Sequence, residues 1–289
     1  MRPHNGRNEI LLRNVMRACR RMMRFRKRKH DVFRLRRNFM DGLRPYPIIL
    51  SQISNLKSQI SKLNSMENGM KIYAAVVGDY ETNCYLLVDG QSKEAAAVDC
   101  AVFDEKYQSM LARAGVKNLK YILLTHGHFD HVCGVKALKN ACGGEVCICE
   151  KDGACLTDAE KNLNAFTGYA PFSPCEADSL LKEGDCLFLG EKLIRVLETP
   201  GHTAGSVCFL ADGVLFSGDT LFRLSMGRTD LPGGSTRQLF ASLARLGALD
   251  GDYDIYPGHG DFTTLDFEQA NNRYLRSEKY AHNHSKPYI

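Results

Sequence analysis

The sequence predicts an α/β protein in which two β-sheets pack face to face with helices outside, preceded by a basic leader expected to be non-globular. Three observations carry that expectation. From Met70 onward short apolar strands alternate with amphipathic helices, the order of strands first and helices after occurs twice, and the first 65 residues have a composition of their own.

In the first half, residues 71–77, 83–89 and 95–99 read as strands and 104–114 as a helix. An apolar run over 119–125 reads as a buried strand, followed by a helix beginning near His131. In the second half, 193–198, 207–210, 214–217 and 253–256 read as strands and 237–246 as a helix. At 289 residues and 44% hydrophobic, the chain has material for one large core or two smaller ones.

Charge divides the chain in two. Residues 1–65 hold 17 Lys and Arg against 3 acids, a net of +14, which leaves 21 against 30, or −9, for the remainder. Within 9–40, Leu11, Leu12, Val15, Met16, Cys19, Met22 and Met23 recur at helical intervals, the pattern of a basic amphipathic helix. Such a leader suits a transit peptide, a helix for anionic membrane surfaces or an arm for nucleic acid; a disordered or untranslated stretch is the plainer expectation, since Met66 and Met70 stand just before the core. Residues 51–57 are nearly repeated by 58–64, placing Ile53, Leu56, Ile60 and Leu63 on a heptad seam, but two heptads support only a helical linker. The expected organisation is a leader over 1–65 and a folded domain over 70–289.

No apolar stretch approaches the roughly 20 residues of a membrane span. The 11 cysteines form no C-x-x-C pair and their count is odd, which argues against a disulfide scaffold and for reduced thiols in the cytoplasm. An organellar location is the alternative if the leader is a transit peptide.

The densest signal is Thr125-His126-Gly127-His128-Phe129-Asp130-His131. Only 9 of 289 residues are histidine, so three of them around an aspartate within six positions, where a strand ends, point to a metal site. Three further ligand candidates each follow a strand on a glycine-flanked turn: His202 in Thr199-Pro200-Gly201-His202, Asp219 in Ser217-Gly218-Asp219 and His259 in Pro257-Gly258-His259-Gly260. Glycine lets the backbone approach an ion closely, so these turns can aim side chains into one cleft. Seven ligands exceed the needs of one tetrahedral ion and match two ions sharing a bridging carboxylate. The expected ions are two divalent metals, Zn²⁺ first, with Fe or Mn as alternatives. His4, His30, His282 and His284 lie in the tails and read as solvated.

From about Met70 to Leu275 the chain resembles the metallo-β-lactamase-fold hydrolases, most closely their glyoxalase II-like branch and its short single-domain members, which share the Gly227-Arg228-Thr229-Asp230 and Pro232-Gly233-Gly234 turns. The resemblance implies an αββα sandwich. It also implies that His126, His128 and His202 hold one metal, that Asp130, His131 and His259 hold the other, and that Asp219 bridges, with Asp130 and Asp219 in catalytic roles. Two departures concern glutathione. Only 30 residues follow His259, too few for the helical C-terminal domain of glyoxalase II, and Asp230 stands where that family has a tyrosine. Arg228 matches the family's basic substrate contact in type, the alternative being a salt bridge bracing its loop.

The function implied is hydrolysis of a small thioester of the hydroxyacyl-thiol type. A zinc-bound water ionises near pH 7, down from about 15.7, and a thiolate departs without a general acid because its thiol has a pKa near 8.5. Within the same superfamily the alternatives are a mononuclear iron persulfide dioxygenase using His126, His202 and Asp219, a lactonase, and an RNA-processing nuclease. The nuclease needs a clamping insertion for which the 39 residues between Asp219 and His259 are few. Nucleic acid is therefore not an expected partner of the core, only of the leader.

Overall fold

The structure, a computed structural model, describes residues 69–275. The basic helix expected within 9–40, the heptad-like repeat at 51–64 and His4, His30, His282 and His284 lie outside the described residues.

Two six-stranded sheets form the centre. The first runs in the order β1 (Met70–Val77), β2 (Thr82–Asp89), β3 (Ala95–Val98), β4 (Tyr121–Leu123), β5 (Glu145–Cys149), β6 (Ser179–Leu181). Its first three strands are antiparallel, while β3 to β6 run parallel. The parallel part is connected through α1 (Glu105–Ala114), α2 (Phe129–Val132) and α3 (Val135–Cys142), and, between β5 and β6, a 3₁₀ turn (Glu150–Leu156) and α4 (Asn164–Thr167). The second sheet contains β7 (Cys186–Leu189), β8 (Lys192–Glu198), β9 (Val207–Ala211) and β10 (Val214–Gly218). A small β11–β12 hairpin (Leu221–Phe222, Ser225–Met226) and α5 (Thr236–Gly247) separate these from β13 (Asp254–Pro257), β14 (Thr263–Thr264) and α6 (Leu265–Asn271). Its order is β14-β13-β10-β9-β8-β7, with β10 and β13 parallel.

Burial on both faces explains why the middle of β2, residues 84–88, is apolar without alternation. Successive side chains of a strand point to opposite faces, so Tyr85 and Leu87 face the second sheet, where they join Ile194, Val196, Phe209 and Phe216. Leu86 and Val88 face outward and pack, with Ala97 and Ile122, against Tyr107, Met110 and Leu111 of α1 and Val135 and Leu138 of α3. On the far side of the second sheet, Leu197, Cys208, Leu215 and Ile255 pack under Leu239, Leu243 and Leu246 of α5. The layers are α, β, β, α, as the sequence predicts.

Helix ends follow their caps. Asp104 accepts a hydrogen bond from the Tyr107 amide at 2.9 Å to start α1, and Gly115, with φ +69°, ends it. The helix expected from near His131 is broken instead into α2 and α3. Gly134 lies between them against residues 100–103, where a Cβ would sit 2.6 Å from Cys100 Sγ, and its amide bonds to the Cys100 carbonyl at 2.9 Å. Docking onto that segment interrupts the helix. Among the described residues, no helix is long and apolar enough to cross a membrane.

Candidate metal centre

The strand ends place the site. Three neighbouring parallel strands, β3, β4 and β5, run out towards Asp99, the His126–His131 segment and Asp152 respectively, while in the other sheet β10 and β13 run side by side into Asp219 and His259. All seven sequence-predicted ligands come together at this edge. Their donor atoms fall into three overlapping groups, each within 4.8 Å: His126 with His128 and His202, His126 with His131 and Asp219, and Asp130 with His131 and His259.

Close approach depends on glycine at two turns. A Cβ on Gly258 would lie 2.1 Å from Asp219 Oδ1, and Gly218 adopts φ +47° with its Cα side only 2.5 Å, at the Cβ position, from Thr125 Oγ1. Any side chain at Gly258 would collide with Asp219 and with His131, whose Cε1 lies 2.8 Å from the same position.

Hydrogen bonds at the far nitrogen of three of the rings decide which nitrogen faces the cleft. His131 Nδ1 lies 2.8 Å from Asp99 Oδ2, so it carries a proton, and Nε2 is the nitrogen turned towards Asp219 Oδ1 at 3.4 Å. Thr125 donates its hydroxyl to the same Asp99 oxygen at 2.8 Å, so towards His126 Nδ1, 3.1 Å away, it can only accept. That sets the proton on Nδ1 and leaves His126 Nε2 bare. His202 Nδ1 donates to the Arg228 carbonyl at 2.8 Å, which turns the lone pair of Nε2 towards His128 Nδ1 at 2.9 Å.

This arrangement fits a cation. His126 Nε2 and Asp219 Oδ1 are both buried with no hydrogen-bond partner, and such atoms cost about 1–3 kcal/mol each unless something satisfies them. Burial and the neighbouring imidazoles hold His126 well below the ordinary histidine range and bring His128 to about 4, so both present lone pairs at neutral pH. Burial disfavours the charge of Asp219, but His131, His202 and His259 overcome it and keep this carboxylate far below its ordinary range. Burial likewise opposes a charged His131, yet Asp99, Asp219 and Asp130 raise it well above normal. The neutral imidazoles of His126 and His128 beside ionised carboxylates fit a divalent ion, which would take the place of the proton that these carboxylates hold on His131.

Sequence reasoning missed the residues that hold the ligands. Asp99 and Thr125 form the relay just described. Asp152, 4% exposed, accepts the Gly127 amide and the Gly205 amide at 2.9 Å and the Thr203 hydroxyl at 2.7 Å, which ties the loop bearing His126 and His128 to the loop bearing His202. The available signal was an acid at the end of a buried apolar strand, since Asp99 closes β3 and Asp152 lies just beyond β5. Arg228 is placed at the rim. Its guanidinium makes a bidentate pair with Asp230, both bonds 2.7 Å, while its carbonyl serves His202. A cleft of about 400 Å³ opens beside His259, lined also by Phe222, Arg223, Leu224, Gly260 and Asp261.

With this geometry in place, a profile of the Metallo-beta-lactamase superfamily matches residues 77–259. The chain belongs to that superfamily. It is 34% identical over 214 residues to the hydroxyacylglutathione hydrolase GloC of Haemophilus influenzae, covering 72% of this chain and 100% of that protein. Among solved structures it is similar to the BLEG-1 B3 metallo-beta-lactamase, at 34% identity and a TM-score of 0.66 over 71% of this chain and 99% of that one. It is also similar to TTHA1623 in a di-iron-bound form, at 35% identity and a TM-score of 0.62 over 70% and 100% of the two chains.

Proposed function

We propose that this metallo-hydrolase cleaves small hydroxyacyl thioesters at a binuclear centre. His126, His128 and His202 hold one ion, Asp130, His131 and His259 hold the other, and Asp219 bridges. The observation that carries this reading is the commitment of every histidine in the cleft to a ligand group, which leaves no free imidazole to protonate a leaving group. An alkoxide or amine would need such an acid, whereas a thiolate, whose thiol has a pKa of about 8.5, does not.

Two divalent ions, Zn²⁺ first with Fe or Mn as alternatives, supply a water ionised near neutral pH and a Lewis acid for the thioester carbonyl when bound. The chain's own residues prepare for them. Asp99 keeps the His131 proton on Nδ1, Thr125 does the same for His126, and Asp152 fixes the spacing of the two loops that carry His128 and His202. The glyoxalase II-like relative supports the substrate class, and the di-iron-bound relative keeps iron among the candidates for the metal. The cysteines among the described residues are free thiols, which supports a reducing, cytoplasmic setting.

Metal analysis of the purified protein beside a panel of thioesters, lactones and persulfides tests the proposal. The expected result is two ions per chain and the highest kcat/KM on hydroxyacyl thioesters. Saturation at one iron per chain with full activity on persulfides, or a faster reaction with lactones, would overturn it.

A further inference from the structure

We infer that Asn83 is the positioning residue for His259 and so decides whether the second ion is held; the inference rests on the binuclear reading above. His259 differs from His126, His131 and His202 in how its ring is oriented. His126, His131 and His202 each have the outer nitrogen fixed by Thr125, Asp99 or the Arg228 carbonyl. His259 uses Nε2 towards the site, 3.3 Å from Asp130 Oδ2, 3.4 Å from His131 Nε2 and 3.6 Å from Asp219 Oδ2. No hydrogen bond to its other nitrogen occurs among the described residues, and its side chain is 25% exposed. The backbone must therefore aim the ring.

That backbone is intrinsically loose. Gly258 and Gly260 flank His259, and Gly260 has φ +76°, so the unfolded turn has more freedom to lose than any other residue type would give it. Asn83 supplies the restraint from the opposite sheet. Its side chain, 3% exposed overall, donates one amide hydrogen to the Pro257 carbonyl at 3.0 Å and the other to the Gly260 carbonyl at 2.9 Å. Its main-chain amide donates to the Gly258 carbonyl at 2.8 Å, and the neighbouring Thr82 pairs with His259 in a β-bridge. Both side-chain partners are carbonyls, so the amide can be oriented only with its nitrogen towards them. One side chain thus grips the turn on both sides of the ligand. Aspartate has the same shape but offers no donor, and would set a carboxylate against two carbonyl oxygens. The Tyr85 hydroxyl, which also donates to the Pro257 carbonyl at 2.5 Å, reaches only one side of the turn.

The test is chelator competition on zinc-reconstituted full-length protein, with metal counted per chain, for wild type, Asn83→Asp, Asn83→Ala and Tyr85→Phe. Wild type should hold two ions. Asn83→Asp and Asn83→Ala should release the more weakly held ion at roughly 10- to 100-fold lower chelator, the range for lost support around a ligand, with the first ion unchanged. Tyr85→Phe should shift the second ion less. Asn83→Ala removes both donors without adding charge, so it carries the test should the aspartate variant fail to fold. Unchanged competition curves for both Asn83 variants would overturn the inference. Parallel loss of both ions with a lower Tm of the metal-free protein would also overturn it, by reducing Asn83 to a fold-stabilising residue. A wild-type chain that itself stops at one ion would instead overturn the binuclear reading, and this inference with it.

Discussion

Asp99 Oδ2 accepts both the Nδ1–H of His131 and the hydroxyl of Thr125, each at 2.8 Å. Through those two bonds one carboxylate fixes the tautomers of two ligands, because Thr125 passes the constraint to His126 Nδ1. Asp99 itself holds φ +58° and its other oxygen accepts the Thr125 amide at 2.9 Å, so it is anchored to the strand end it orients. Asp99→Ala should therefore weaken metal binding about 10- to 100-fold, the usual effect of removing a ligand's hydrogen-bond partner. Isothermal titration of the metal-free variant reads this directly, and affinities equal to wild type would rule the relay out.

Asp219→Ala addresses the bridge. Asp219 has one oxygen towards His131 and the other towards both His202 and His259, each of the latter at 3.6 Å, so it stands between the two ligand groups. Removing it should reduce occupancy from two ions to one and abolish turnover. Metal counting after dialysis decides the point, and two ions in the variant would contradict the bridging role.

How far the site was legible depends on what each residue's neighbours in sequence disclose. His126 to His131 announce themselves by density, and His202, Asp219 and His259 by glycine turns after apolar strands. Asp99, Asp152 and Asn83 gave no such sign, because their partners lie far away in the chain: Asp99 acts on His131, Asp152 on Gly205, and Asn83 on Pro257. The same limit applied to the fold. β2 and β10 were readable as apolar strands, whereas β6, an edge strand of three residues, and β14, of two, take their conformation from the pairing partner rather than from their own pattern. Arg228 was readable as a motif residue, but its pairing with Asp230 is a matter of rotamers that sequence does not specify.

Deleting residues 1–65 should leave folding and activity intact. β1 begins at Met70 and every proposed ligand lies between His126 and His259, so we propose that the core does not need the leader. Thermal melts and kcat/KM of the truncated protein check this, and an insoluble or inactive product would move the boundary. Any binding of the full chain to anionic vesicles or RNA should vanish with the leader, given its net charge of +14.

Glutathione dependence should be weak. The one basic residue matched to the family's glutathione contact already has a partner: the Arg228 guanidinium pairs bidentately with Asp230, and its hydrogen bonds in turn hold the Asp230 carboxyl at about 2. Asp230 therefore stays ionised across any working pH and competes with a substrate carboxylate for Arg228 throughout that range. A charge-assisted hydrogen bond is worth roughly 1.5–3 kcal/mol, so each one absent should cost about tenfold or more in KM for the glutathione ester while leaving kcat nearly unchanged. Comparing S-lactoylglutathione with the lactoyl ester of a truncated thiol isolates this contribution. Similar kcat/KM for the two is expected. A strong preference for the full tripeptide would show that other groups rebuild the pocket, with the cleft beside His259 lined by Arg223 and Asp261 as the first place to mutate.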